Sequence, residues 1–169
     1  DNSTPLVSFS AALGGPAGSV TCIRNGSSGP NAIVNINYNR IDNINAVSFL
    51  TSALLENGSA ASNGAVNIIG NNFGTLSPKL ISFSGVQSGF LSPIVSTNGL
   101  RTTIEANWIR GINHLVAGTG GHVYITGNAS ELFIRDNIFD NLNVNTTGDI
   151  YFILATSCLS ICTNNRIKT

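Results

Sequence analysis

One phrase recurs five times along this 169-residue chain: an aliphatic or thiol residue, two free positions, Asn, one free position, then Ile or Phe. It runs from Ile36 through Asn39 to Ile41, Ile68 through Asn71 to Phe73, Ile104 through Asn107 to Ile109, Ile134 through Asn137 to Phe139, and Cys162 through Asn165 to Ile167. The first four copies add an Ile or Leu three residues later, at Ile44, Leu76, Ile112 and Leu142. Successive Asn positions lie 32, 36, 30 and 28 residues apart. A unit of that length cannot bury its own apolar face and must stack on its neighbours.

The unit is built from strands. Around each phrase the residues alternate or run apolar with β-formers, as in Val34-Asn-Ile36-Asn-Tyr38, Val66-Asn-Ile68, Thr103-Ile104 and Leu132-Phe133-Ile134. Second strand-like runs follow at 46–50, 79–83, 113–116 and 149–154, so each period is expected to hold at least two short strands. Only the window from Val47 to Asn57 carries a trace of helical spacing, which disfavours a helical solenoid. Asn is a poor strand residue, but it tolerates left-handed turns and bonds through its amide. In a parallel coil identical residues stack about 4.8 Å apart, so Asn39, Asn71, Asn107, Asn137 and Asn165 are expected to form a ladder at one corner. A propeller blade needs four strands in about 40 residues or more, and these periods are too short.

The phrase Val34-Asn-Ile36-Asn-Tyr-Asn39-Arg-Ile41 resembles the right-handed parallel β-helix repeat of pectate-lyase-like enzymes, phage tailspikes and surface proteins. Asn63-Gly64-Ala65 and Phe139-Asp-Asn141 resemble altered forms of polymorphic outer-membrane adhesin repeats, from which no residue roles carry over. The expected fold class is all-β: a single right-handed parallel β-helix of about five to six rungs with an internal Asn ladder. The repeats occupy 31–169, behind an N-terminal capping or subunit-pairing segment and first irregular rung at 1–30. Such an architecture hosts unrelated activities, so function must come from sites.

Eight basic and eight acidic residues balance to zero, which leaves no basic face for nucleic acid and no acidic block to trap cations. Charged residues are only 9% of the chain, and a weakly charged surface favours association. Attached sugar is an alternative source of solubility. Asn2-Ser-Thr4, Asn25-Gly-Ser27, Asn57-Gly-Ser59, Asn128-Ala-Ser130 and Asn145-Thr-Thr147 are N-glycosylation acceptor triplets. Four are expected in solvent-facing links. Asn25 is the exception, since it joins the ladder if Cys22 to Asn25 is a sixth, degenerate copy. Asp1 to Pro5 have neither the basic start nor the apolar run of a signal peptide, and no stretch approaches the 18 apolar residues of a membrane span. A secreted protein would stand here in its mature form.

Cys22, Cys158 and Cys162 make an odd set. Residues four apart in a strand are about 13 Å apart, so Cys158 and Cys162 pair only across a turn. Cys22 and Cys162 lie on first and last rungs, about 24 Å apart for five steps, but two coils stacked end to end bring those ends together. Two readings stand: small buried hydrophobes, or intersubunit thiols. The chain stops at Asn164-Asn-Arg-Ile-Lys-Thr169, inside a repeat, which suits either a fragment of a longer coil or an end covered by a partner.

Arg166-Ile167-Lys168 and Gly120-Gly121-His122 resemble elements of polygalacturonase-like enzymes, but the Asp-Asp and Asn-Thr-Asp elements that would supply the two carboxylates are missing. Glu105 and Asp136 stand on adjacent rungs, with Arg135 level with Glu105, which reads as a cross-rung ion pair at the surface. His114 and His122 have no Cys or carboxylate at ligand spacing, so neither a metal nor a cofactor is expected. Trp108 replaces Arg40, Asn72, Ile138 and Arg166 in its column and is either an exposed anchor for a glycan or neighbouring subunit, or core. Together these features suggest a non-catalytic, glycosylated subunit of an extracellular or cell-surface fibre or adhesive assembly that associates with itself end to end. The alternative is a polysaccharide-acting or glycan-binding β-helix.

Overall fold

In the computed structural model the described residues are 18–26, 29, 31–48, 50–58, 64–75, 80–157 and 159–168. They form seventeen strands, β1 to β17 in chain order, and no helix. One face of the molecule stacks β1 (Ile23–Asn25), β5 (Thr51–Asn57), β9 (Phe90–Ser96), β12 (His122–Gly127) and β15 (Ile150–Ala155). A second stacks β2 (Ile33–Asn35), β6 (Ala65–Ile69), β10 (Arg101–Glu105), β13 (Glu131–Arg135) and β16 (Leu159–Thr163). The third holds β3 (Arg40–Ile41), β7 (Asn72–Phe73), β11 (Trp108–His114), β14 (Ile138–Asn143) and β17 (Arg166–Lys168), with β4 (Ile44–Ala46) and β8 (Ile81–Phe83) continuing its first two levels. Every pairing among these strands is parallel. Among the described residues the chain visits the three faces in order five times, which makes a parallel β-solenoid of five rungs, about four turns from the first to the last.

Identical registers put the repeated residues in columns. Ile41, Phe73, Ile109, Phe139 and Ile167 stack on the third face, and Ile68, Ile104, Ile134 and Cys162 on the second. The middle members of both columns are buried. Burying an Ile or Phe contributes about 2 kcal/mol, whereas a net hydrogen bond contributes about 1 kcal/mol. The apolar columns therefore supply most of the stability, and the side-chain hydrogen bonds chiefly set the register, because a one-residue slip would turn each inward row to solvent.

Several sequence expectations change in detail. The window from Val47 to Asn57 contains a strand, β5, rather than helical structure. Each period crosses three faces, and β9 and β12 were not foreseen as strands. Leu76 lies outside the described residues, and Ile81 pairs between Ile44 and Ile112. The left-handed residue at the ladder corner is not the Asn but the residue before it: Tyr38, Gly70, Ala106, Asp136 and Asn164 have φ of 58°, 66°, 53°, 57° and 54°. That single left-handed residue swings the chain from the second face to the third. The segment 1–17, including the expected capping run, lies outside the described residues.

Candidate functional site

The Asn ladder forms as expected, and its chemistry is complete in the middle of the coil. Asn107 Oδ1 accepts both the backbone N–H and the Nδ2–H of Asn71, each at 2.9 Å. Asn107 Nδ2 donates to Asn137 Oδ1 at 3.0 Å and to the Ile68 carbonyl at 2.9 Å. Asn71 and Asn137 repeat the same four bonds with their own neighbours. A primary amide offers two donors and one two-lone-pair acceptor, so these side chains are saturated, as burial requires.

The ends of the ladder differ. Asn165 Oδ1 accepts from Asn137 and its Nδ2 donates to the Ile134 carbonyl at 2.9 Å. Its backbone N–H and second Nδ2 hydrogen meet no acceptor among the described residues. Asn39 uses its donors, on the Asn71 Oδ1 and the Asn37 carbonyl, but nothing among the described residues donates to its Oδ1. One end thus presents donors and the other an acceptor. The last rung is also bare: Ser160 and Cys162, on inward rows, are exposed, as are Leu159, Ile161 and Ile167. At the first rung Cys22, Ile23, Asn39, Ile41 and Ile44, with Arg40 and Asp42 at the side, line a largely apolar pocket of about 230 Å³.

A second amide column stands where the first face meets the second, and it overturns one expectation. Asn25 is not a sixth copy of the phrase; it pairs with Asn57, and its Nδ2 donates to Asn57 Oδ1 at 2.7 Å. Asn57 is fully buried, with Nδ2 donating to Ser96 Oγ and to the Asn98 carbonyl, each at 3.2 Å. It does not sit in a solvent-facing link, because its nitrogen, the atom a glycan would occupy, is committed to the core. Asn128 and Asn145 are exposed, on the loops after β12 and β14. Asn2 lies outside the described residues.

Cys22 and Cys162 are free thiols and both exposed, and burial of the sulfur surroundings pushes both above the usual thiol range. Neither is an activated thiolate. Cys158 lies outside the described residues. Trp108 faces outward, as the register with Asn72 and Ile138 requires, but it is half-buried: the Arg110 guanidinium lies 3.8 Å from its ring centroid and the Lys168 ammonium 5.3 Å. It is neither core nor a bare platform. The Glu105–Arg135 pair forms across rungs at 2.8 Å, and Arg24–Glu56 and Arg101–Glu131 repeat the device at 3.4 Å. Asp42 is held by Arg40 on its own rung. Among the described residues no cluster of three or more metal-binding side chains occurs.

His114 and His122, unrelated by sequence spacing, meet in the core with Nε2 atoms 3.1 Å apart. Nothing in the repeat foretold this contact, because it arises at the turn from third face to first, outside the repeated phrase. Burial lowers both pKa values, that of His122 to about 4, with the neighbouring His114 adding to the effect.

The geometry defines a class, the parallel β-solenoids with an internal amide ladder. No family model matches the chain, and no curated protein or solved structure matches it either. No helix among the described residues is long and apolar enough to cross a membrane.

Proposed function

We propose that the protein is a non-catalytic structural subunit, acting outside the cell or at its surface in a fibre or adhesive assembly, and that its rungs stack on those of further copies. The right-handed sense of the expected β-helix belongs to the same proposal. The observation that carries it is the polarity of the ladder among the described residues: donors without acceptors at Asn165, an acceptor without a donor at Asn39. Such ends are complementary rather than alike, so contact between them is heterologous and generates open filaments rather than closed pairs. Exposed Cys162 and Ile167, on the inward rows of β16 and β17, supply apolar surface for the same contact. The near-absence of charge leaves little electrostatic repulsion to oppose it.

The alternative is a polysaccharide-acting β-helix. Asp42, Glu56, Glu105 and Glu131 are engaged by arginines, and the described cavities gather no pair of carboxylates. A glycan-binding reading draws on Trp108, whose ring is flanked by two cations. Sedimentation velocity across a hundredfold concentration range separates the readings. Growing species that end-blocking by Asn165→Asp suppresses support the proposal, since a carboxylate removes the side-chain donor and sets negative charge towards the Asn39 acceptor; a monomer at every concentration rejects it and directs attention to carbohydrate arrays. Glycans are expected on Asn128 and Asn145.

A further inference from the structure

The His pair lies within the tightest corner of the coil. The turn at 115–121 is sewn to both neighbouring turns: Thr119 and Gly120 N–H groups donate to the Gln87 carbonyl at 2.8 and 2.9 Å, Gly118 N–H to the Asn145 carbonyl at 2.7 Å, and Thr147 N–H back to Gly118 at 3.1 Å. Glycines permit this closeness. A Cβ at Gly120 would fall inside the Gly89 carbonyl, and one at Gly148 inside the Gly120 carbonyl. Beneath this seal His122 is fully buried and His114 5% exposed, their rings 5.0 Å apart, with Phe83 5.0 Å from His114 and Tyr124 6.0 Å from His122.

We propose that the His114–His122 pair is a proton-operated latch: neutral, it holds the corner shut with one shared hydrogen bond, and protonation in mildly acid surroundings opens the turns at 115–121 and 144–149. With Nε2 facing Nε2, one ring must donate and the other accept, so the contact exists only while the pair carries a single hydrogen between those atoms. Two imidazolium rings would set N–H against N–H with no water between them. The surroundings offer no counter-charge. Leu91 and Ile150 flank His122 in its column, Phe83 underlies His114, and the Tyr124 phenol, pushed upward by burial, stays neutral. From the 144–149 turn come backbone carbonyls: Asp149 accepts the His122 backbone N–H at 2.9 Å, and Asn145 draws the His114 pKa part of the way back up, although neither Nδ1 closes a regular hydrogen bond. The Asp149 side chain is exposed, and no ion pair reaches either ring among the described residues. A first proton, taken at Nδ1, leaves the shared hydrogen bond but adds a buried charge without a partner, and a second breaks that bond, so both are stabilised by opening the corner to water.

Hydrogen-exchange mass spectrometry between pH 7.5 and 4.5, corrected for intrinsic rates, tests the latch. The wild-type opening equilibrium of peptides spanning 112–124 and 143–150 is expected to rise by up to about tenfold per pH unit below 6.5, with peptides from β6 and β10 unmoved. His122→Phe, which removes the shared hydrogen bond and one of the two titrating rings, is expected to weaken that dependence to the share of His114. Imidazole nitrogen NMR of the wild type provides a second readout independent of any variant's folding, with one Nε2–H shared by the pair and titration well below 6.5. Titration near 6.5, or exchange that rises equally across the chain, overturns the proposal.

Discussion

Replacing Asn107 by Ala tests how the ladder works. The substitution removes an acceptor for the Asn71 backbone N–H and for one Asn71 Nδ2–H, and a donor to the Ile68 carbonyl. Asn137 Oδ1 keeps the Asn107 backbone N–H at 3.0 Å, so it is not orphaned. The Asn71 backbone N–H is thus left without a partner at a buried site, whereas the Asn71 Nδ2 keeps the Ile36 carbonyl at 2.8 Å and the Ile68 carbonyl keeps its place in the β6–β10 ladder. At about 1–3 kcal/mol for the orphaned N–H and about 1 kcal/mol for each bond lost by the other two groups, the loss is about 4 kcal/mol, a large share of a domain's usual stability of about 5–15 kcal/mol. Asn165→Ala removes three side-chain bonds against the four of Asn107, and on a half-buried rung where water takes their place, so about 1 kcal/mol is expected. Urea unfolding followed by circular dichroism measures both. A cost for Asn107→Ala below 1 kcal/mol, or equal to that of Asn165→Ala, refutes the argument that saturation of buried amides specifies the coil.

Other expectations concern the corner, the histidines and the surface. Gly120→Ala should cost at least about 2 kcal/mol, because the obstacle is a backbone carbonyl, whereas Gly18→Ala, which meets nothing within 4 Å, should be near neutral; thermal melts compare them. His122 has a folded pKa depressed to about 4, so the unfolded chain binds the proton more readily. Its contribution is full above pH 6.5 and declines as pH falls toward 4, by up to about 3 kcal/mol, read from urea midpoints across that window. Glu105→Ala should change stability by less than about 0.5 kcal/mol, since its partner Arg135 is largely in water. In a secretory eukaryotic host, Asn128→Gln and Asn145→Gln should each remove one gel-mobility step sensitive to endoglycosidase, and Asn57→Gln none.

The repeat exposed the second and third faces because their inward rows obey the strand period and end at the same Asn corner in all five copies. The first face was harder to read for a physical reason. In β5 the adjacent Leu54 and Leu55 are both buried, and in β9 so are Pro93 and Ile94, so alternation breaks where those strands bend. The second amide column was hidden by its changing composition, Asn25 and Asn57 giving way to Ser96, Gly127 and Ala155. Composition also could not reveal the His pair, because two residues eight apart meet only when a glycine-tightened corner folds their strands' ends together. The Glu105–Arg135 pair was legible because adjacent rungs share one register.

Electron microscopy of native, unreduced material, repeated after addition of a reductant, tests the structural role most directly. Stacking predicts regular fibres whose axial repeat is close to one coil length, roughly 24 Å for five rungs at 4.8 Å each. Loss of those fibres on reduction would add Cys22 and Cys162 to the contact, and their persistence would leave it to the ladder and the apolar rows. Dispersed single coils under both conditions would contradict the proposal that this solenoid is a subunit of a polymer.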